Sequence, residues 1–142
     1  MKRLSAITLS VLTVLLVGTA CTSALTPSTF EVILDGSNAV PSNASTAFGS
    51  ANVTVAGNRL AIDGAWEGFD IVDHGANVHG PAPAGENAGV LFELVFDNQT
   101  KTFEGTFTMN ADQMSHFLAG ELYINLRSAE YPDGEIRGQI EQ

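Results

Sequence analysis

Hydrophobic and polar residues alternate along most of the chain from Phe30 onward, and a period of two is typical of β-strands. In the first segment, Phe30, Val32 and Leu34 are the inward-facing candidates, and Glu31 and Asp35 are polar. Later segments with the same spacing supply the other residues expected to be buried, Trp66 at least partly: Val53, Val55, Leu60, Ile62, Trp66, Phe92, Leu94, Phe96, Phe107, Leu122, Ile124 and Ile136. The pattern predicts a domain built mainly of strands.

Turn signals join these segments into hairpins. Gly57-Asn58 is a two-residue turn whose residues both tolerate positive φ. A longer polar turn covers residues 97–101, and Tyr131-Pro132-Asp133-Gly134 places Pro and Gly at positions that favour a turn. The hairpins predicted in this way join residues 52–55 to 59–63, residues 90–96 to 103–109, and residues 121–126 to 135–140.

The period changes to that of a helix near residues 110–119. Asn110 is expected to cap the first turn. The residues expected to face the core at helical spacing are Met114, Phe117 and Leu118. Short strands with regular turns and one short helix predict an all-β fold, an antiparallel β-sandwich of the Greek-key or superoxide-dismutase-like kind.

The first 20 residues have the features of a signal peptide. Lys2 and Arg3 precede an apolar segment, residues 4–17, that is too short to span a bilayer comfortably. Small residues then lead to Cys21, which is the arrangement a lipoprotein signal peptidase requires. We therefore expect cleavage before Cys21.

Cys21 is the only cysteine, so neither an internal disulfide nor a Cys-based zinc site is expected. We expect it to carry acyl chains that anchor the protein to the bacterial cell envelope, at the outer membrane or the outer face of the plasma membrane. Residues 21–29 would be a flexible tether, and residues 30–142 one domain. The alternative is ordinary cleavage, a free thiol and a secreted protein, but a lone exposed thiol is a liability in an oxidising compartment.

The exported part of the chain is strongly acidic. Lys2 and Arg3 are two of six basic residues, which leaves four against 16 carboxylates and a net charge near −12. Such a surface repels phosphate backbones, so nucleic acid is not an expected partner. We interpret the acidity as a solubility feature, with recruitment of cations or basic ligands as the alternative.

The stretch from Asp70 to Asn87 is the least strand-like part of the domain and is dense in Gly and Pro. Long loops of this kind often carry sites. Two imidazoles and one carboxylate are candidate ligands for Zn²⁺ or Cu²⁺: His79, His74 and Asp73. Their spacing matches no standard ligand motif, and the alternative is a surface pair or a loop hydrogen bond.

The sequence contains no recognisable catalytic set. It has no Gly-x-Ser-x-Gly elbow, no phosphate-binding glycine loop and no dinucleotide fingerprint. Near the C-terminus, Arg137 lies between carboxylates and is followed by Gly138. We expect Arg137 to pair with an acidic neighbour such as Glu121 or Glu135, and Gly138 to permit close packing or a bulge. Ligand binding by Arg137 is the alternative.

Several motifs resemble the chordin-type (CHRD) domain over residues 30–140. They are Val40-Pro41 with the following Thr46, Gly49 and Ala51, Val78-His79-Gly80-Pro81, and Gly120 to Asn125 leading to residues 132–139. The motif residues expected to be structural are Tyr123, Asn125, Gly134, Glu135, Arg137 and Gly138. The resemblance implies an all-β domain of a kind widespread in secreted bacterial proteins, with a poorly defined molecular activity.

This chain departs from the family pattern at two places. It has Asn77-Val78-His79 where the family usually has His-x-His, and Arg127-Ser128 where the family usually has His-Thr. If relatives bind a metal through those histidines, this copy has lost or weakened the site. The leading hypothesis is therefore a non-enzymatic binding or structural module, with a ligand that is a protein or a small molecule. The alternative is a metal-binding or redox protein centred on His79.

Overall fold

The computed structural model describes residues 26–142, so the predicted leader and Cys21 lie outside the described residues. The alternating segments form antiparallel strands, as their period predicts. Those of the described part are β1 (Ser28–Asp35), β2 (Phe48–Ala56), β3 (Arg59–Glu67), β4 (Ala76–His79), β5 (Val90–Glu93), β6 (Val95–Asp97), β7 (Thr102–Thr108), β8 (Leu122–Leu126) and β9 (Ile136–Ile140). One α-helix, α1 (Ala111–Leu118), and a 3-10 turn, Gly36–Asn38, accompany them.

The strands belong to one sheet that nearly closes on itself. Its order is β5-β4-β8-β9-β1-β2-β3-β7-β6. The two end strands, β5 and β6, are halves of one extended segment separated only by Leu94, whose N–H donates to the Ala76 carbonyl at 2.9 Å. The prediction of an all-β antiparallel domain of the sandwich type is confirmed, and the nearly closed sheet encloses a single core.

The residues predicted to face inward form that core. Those that are at most 4% exposed are Val32, Leu34, Val53, Leu60, Ile62, Trp66, Leu94, Leu122, Ile124 and Ile136. The remaining predicted core residues are half-buried and pack against this cluster: Phe30, Val55, Phe92, Phe96 and Phe107. Trp66, expected to be at least partly buried, is only 1% exposed, and its indole N–H donates to the Phe69 carbonyl at 3.0 Å.

The predicted helix forms with its predicted cap. The Asn110 side chain accepts from the Gln113 N–H, and the Gln113 side chain accepts in return from the Asn110 N–H. Phe117 is buried and Met114 packs against the core. The placement of Leu118 in the core was wrong, since it is 65% exposed. The eight-residue helix thus buries a narrower stripe, Phe117 with Met114 beside it, than the i, i+3, i+4 pattern predicts.

Two other expectations need correction. The stretch from Asp70 to Asn87 is not a continuous loop, because β4 (Ala76–His79) lies within it and is hydrogen-bonded on both sides, to β5 and β8. The segment of residues 90–96 does not pair with residues 103–109 along its whole length. Only its second half, β6, pairs with β7, while β5 pairs with β4. The closing of the sheet imposes this division.

The two faces of β4, β8 and β9 are both covered. Val78, Ile124 and Ile136 face the core, and the alternate residues face outward beneath the connections on either side. A wall that is buried on both faces therefore runs along one side of the molecule. Among residues 26–142, the helix is too short and too polar to cross a membrane.

Candidate functional site

Six polar side chains line the outer face of β4, β8 and β9 in two cross-strand rows. One row is Asn77, Asn125 and Arg137, and the other is His79, Tyr123 and Gln139. We refer to these six residues as the outer polar cluster. All except the half-buried Gln139 are at most 9% exposed. The connection from β4 to β5, residues 80–89, folds back over four of them, His79, Tyr123, Arg137 and Gln139. Asn77 and Asn125 are bound to two other connections.

Arg137 is the centre of the cluster and is 2% exposed. Its Nη1 donates to the Glu86 carbonyl at 2.7 Å and to Asn87 Oδ1 at 3.3 Å. Its Nη2 donates to the Pro83 carbonyl at 3.3 Å and to Gln139 Oε1 at 2.9 Å. A guanidinium group has five donors in a fixed plane, and here four of them bind the covering loop and its neighbour.

Arg137 forms no ion pair with either of the acidic residues expected to be its partner. Glu121 is paired with His116, whose Nδ1 lies 2.6 Å from Glu121 Oε2. Glu135 Oε1 accepts from the Ser45 hydroxyl at 2.6 Å. The prediction of a salt bridge was therefore wrong, because carbonyl oxygens of the loop occupy the guanidinium donors. Gly138 does allow close packing, since a Cβ there would lie 2.6 Å from the Ile33 carbonyl oxygen.

Tyr123 lies between His79 and Arg137. Its ring is stacked on the His79 ring with centroids 5.0 Å apart and 7° between the planes. The Cζ atom of Arg137 lies 3.5 Å from the centroid of the same ring. Because β8 lies between β4 and β9, the two groups approach from opposite sides, which gives a stack of imidazole, phenol and guanidinium.

The same stack holds the far end of the covering loop at Ala88. The Ala88 N–H donates to the Tyr123 hydroxyl at 2.9 Å, and that hydroxyl donates to the Ala88 carbonyl at 3.2 Å. His79 Nδ1 lies 3.0 Å from the same carbonyl. A carbonyl accepts and does not donate, so Nδ1 carries the imidazole proton. Both backbone groups of Ala88 are thus bound by side chains of the sheet.

The other members of the cluster fix two more loops. Asn125 Nδ2 donates to the Asp133 carbonyl at 2.9 Å. Gly134 has φ of 147° and lies so close to Asn125 that a Cβ would come within 2.2 Å of Oδ1. Asn77 Nδ2 donates to the His74 carbonyl at 2.8 Å. Motif residues Asn125 and Gly134 are therefore a matched pair in the connection to β9.

Burial governs the charge state of His79. Its removal from water lowers the pKa of His79 below the ordinary value of 6.5, and the positive charges of Arg127 and Arg137 lower it further. The Ala88 carbonyl acts in the opposite direction. The ring is therefore neutral at physiological pH, and its Nε2 is a buried lone pair with no hydrogen-bond partner among the described residues.

The three candidate metal ligands do not form a ligand set. His74 is mostly exposed, and its Nδ1 lies 2.5 Å from Glu93 Oε1. Asp73 is exposed, whereas His79 is buried in the outer polar cluster. Nowhere in residues 26–142 do three or more His, Cys, Asp or Glu side chains lie in a position to hold a metal ion. The alternative to a metal site was a surface pair between a histidine and a carboxylate. His74 does form such a pair, with Glu93 and not with the neighbouring Asp73.

The sequence motifs are those of one family. A family model described as the CHRD domain matches residues 30–140. The chain belongs to the CHRD domain family. The search of curated proteins and the search of solved structures found no match. In this CHRD domain the motif residues Tyr123, Asn125 and Arg137 all lie in the outer polar cluster.

Sequence reasoning missed two members of this cluster. Asn77 was noted only as a departure from the family pattern, and Gln139 was quoted only as part of a motif. Gln139 Nε2 donates to the carbonyls of Ala82 and Gly120, both at 2.8 Å. The spacing along the strands could have revealed both residues. Asn77 is two residues before His79, and Gln139 is two residues after Arg137, so each pair shares one face of its strand.

Proposed function

We propose that this CHRD domain is a non-enzymatic binding or structural module, exported and anchored to the cell envelope by a lipid on Cys21. The observation that carries the non-enzymatic role is the set of hydrogen bonds around Arg137 and Tyr123. Their donors and acceptors meet backbone groups of residues 80–89 and the side chains beside them. Side chains used in this way position a loop and do not present a reactive group to a substrate.

The absence of catalytic activity is testable with a broad panel of hydrolysable and oxidisable substrates. The purified protein should give rates equal to those of a buffer blank. A comparison variant, Tyr123→Phe, removes one hydroxyl of the outer polar cluster and should also give blank rates. Turnover by the parent that disappears in Tyr123→Phe would overturn the non-enzymatic role, because it would make the cluster a reactive centre.

The anchor rests on the sequence alone, since residues 1–25 lie outside the described part. A diacylglycerol and an N-acyl chain on Cys21 would insert several acyl chains, each CH₂ contributing about 0.8 kcal/mol. Such an anchor holds where a single chain binds only reversibly. The first strand begins at Ser28, so few residues separate the lipid from the sheet, and the domain would lie close to the membrane surface.

Lipid labelling of two variants tests the anchor. Cys21→Ser should lose incorporation of a labelled fatty acid and appear as soluble protein or unprocessed precursor. Thr22→Ala, the control, keeps the cysteine and should label and fractionate like the parent. If Cys21→Ser labels and fractionates like the parent, the anchor is wrong. Loss of the anchor would leave a secreted module and would not affect the non-enzymatic proposal.

A metal-dependent role is the second candidate, and one observation favours it. Nε2 of His79 is a buried lone pair, and its Nδ1–H is bound to a carbonyl as in metal-ligating imidazoles. Elemental analysis of protein purified without chelator tests it. Stoichiometric zinc or copper that is lost in a His74→Ala, His79→Ala double variant would support this role. Substoichiometric metal, unchanged in the double variant, would exclude it.

A further inference from the structure

A cleft of about 540 Å³ lies on the outer face of β1 and β9, beside the outer polar cluster. Its floor is formed by Ile33, Arg137 and Gln139. Residues 37–42 form one wall, and the tip of the covering loop, Ala84 and Gly85, forms the other. Asn87 Nδ2 donates to the Val40 carbonyl at 2.8 Å and so joins the two walls. The volume is within the range of small-molecule sites.

The charge on the floor of this cleft has no carboxylate partner. Asp35 lies directly opposite Arg137 in the sheet register. Its carboxylate is turned to the 3-10 turn instead, where it accepts from the Ser37 hydroxyl at 2.7 Å and the Asn38 N–H at 2.9 Å. The ion pairs of the described chain involve Lys101, His74 and His116 but not Arg137. The guanidinium is balanced by neutral oxygens and the Tyr123 ring alone, so an anion in the cleft would add a charge–charge attraction that no side chain supplies.

The rest of the cleft restricts what kind of anion fits. The four terminal N–H groups of Arg137 are engaged, which leaves Nε–H. Ile33, which is 55% exposed, offers an apolar surface in the same cleft as Arg137. Glu141 lines the cleft and is exposed, so a second negative charge on the ligand would be repelled. These features select one negative charge on a partly apolar body.

We propose that this cleft binds a small organic monocarboxylate, with the carboxylate beside Arg137 and the apolar part over Ile33. The site explains why Asp35 is turned away from the arginine that faces it across the sheet: the charge is left for a ligand. The proposal rests on the binding role proposed above and is independent of the lipid anchor. Nucleotides and other polyanions are excluded by Glu141 and the acidity of the chain.

Amide chemical shifts of the purified protein test the site with two probes of the same shape. Benzoate carries the negative charge and benzylamine carries a positive one. Benzoate should give saturable shifts at Ile33, Gly85 and Gln139, and benzylamine should give none there. Ser42→Glu, an exposed position in the cleft, adds a carboxylate and should abolish benzoate binding. Ser115→Glu on α1 makes the same change of net charge outside the cleft and should bind benzoate like the parent.

The other results overturn the proposal. Absence of saturable shifts with benzoate in the parent would show that the cleft is not an anion site. Equal binding of benzoate and benzylamine, or equal binding by the two Glu variants, would show that Arg137 does not select the ligand. The spectrum of benzoate itself shows whether the probe is chemically converted, and so separates a failure of this binding site from a failure of the proposed non-enzymatic role. Chemical conversion of the probe would refute the non-enzymatic role, whereas failure to bind would leave that role unaffected.

Discussion

Arg137 shows how a buried charge is held without an opposite charge. Burial lowers the pKa of its guanidinium, although the arginine remains protonated, and removing such a group from water is costly. Four dipolar oxygens and the face of the Tyr123 ring replace the lost water. The residue thus joins the sheet, the covering loop and the aromatic stack.

Replacing this arginine should cost more stability than replacing an exposed one. Arg137→Gln should lower the free energy of unfolding by roughly 3 kcal/mol, because buried carbonyl oxygens lose their donors. Arg59→Gln, at an exposed position at the start of β3, should change it by no more than about 0.5 kcal/mol. Urea denaturation measures both. Equal effects of the two substitutions would contradict the structural role of Arg137.

His79 makes stability depend on pH. Its pKa is lowered in the folded protein, so the unfolded chain binds the proton more readily. The contribution is complete above about pH 6.5 and is lost as the pH falls toward the folded-state value. Protonation would place a second positive charge on the same aromatic ring that Arg137 covers, and would do so inside the protein.

The free energy of unfolding should therefore fall as the pH drops below about 6.5, with a slope of up to about 1.4 kcal/mol per pH unit from this residue. His79→Gln should make the slope shallower. His116→Gln is the control, since His116 is partly exposed and paired with Glu121. Urea titrations across this pH range provide the measurement. Identical slopes for the parent and His79→Gln would show that His79 does not cause the dependence.

At the scale of elements, short local sequence patterns were sufficient to locate several strands, turns and the helix. The alternation of Phe30, Val32 and Leu34 located β1, Gly57-Asn58 located the turn between β2 and β3, and Asn110 located the start of α1. Each depends on a few neighbouring residues. The segment of residues 90–97 shows the limit, because its alternation is the same whichever strand it pairs with. Its division between β4 and β7 is a consequence of sheet closure.

The candidate site was less predictable than the fold. β4 has only four residues, and although Ala76, Asn77, Val78 and His79 alternate apolar and polar side chains, so short a run does not identify a strand with a covered outer face. In β8 and β9 the polar residues do alternate, but Tyr123 and Arg137 on an outward face would ordinarily contact solvent. Only the fold of residues 80–89 buries them. The sequence therefore located the motif residues without revealing what covers them.

The closure of the sheet predicts opposite effects at two neighbouring positions. Leu94 is 2% exposed and links β5 to β6, whereas Val95 is 71% exposed. Leu94→Asp should unfold the domain, since it places a carboxylate in the core of a protein whose total stability is only about 5–15 kcal/mol. Val95→Asp should remain folded. Far-UV circular dichroism reads both, and a folded Leu94→Asp would contradict the described core.

At the scale of the whole molecule, the two sides of the barrel-like sheet differ. The outer polar cluster and its covering loop lie over β4, β8 and β9. On the other side, an exposed cross-strand row contains Glu31, Asn52, Asp63 and Glu104. Asp63 and Glu104 are directly opposite, and like charges in that relation repel. Three of the chain's 16 carboxylates thus lie together in one exposed row, on strands other than those of the outer polar cluster.

The central claim is that the outer polar cluster holds residues 80–89 against the sheet, and amide hydrogen exchange at Ala88 tests it most directly. The Ala88 N–H donates to the Tyr123 hydroxyl, which in turn donates to the Ala88 carbonyl, so Tyr123→Phe removes both bonds and keeps the ring. Loss of a hydrogen bond contributing about 1.4 kcal/mol corresponds to about a tenfold change in exchange rate. We predict a protected Ala88 amide in the parent and roughly tenfold faster exchange in Tyr123→Phe, with the Ile124 amide unchanged in β8. An unprotected Ala88 amide in the parent, or the same rate in both proteins, would contradict the account.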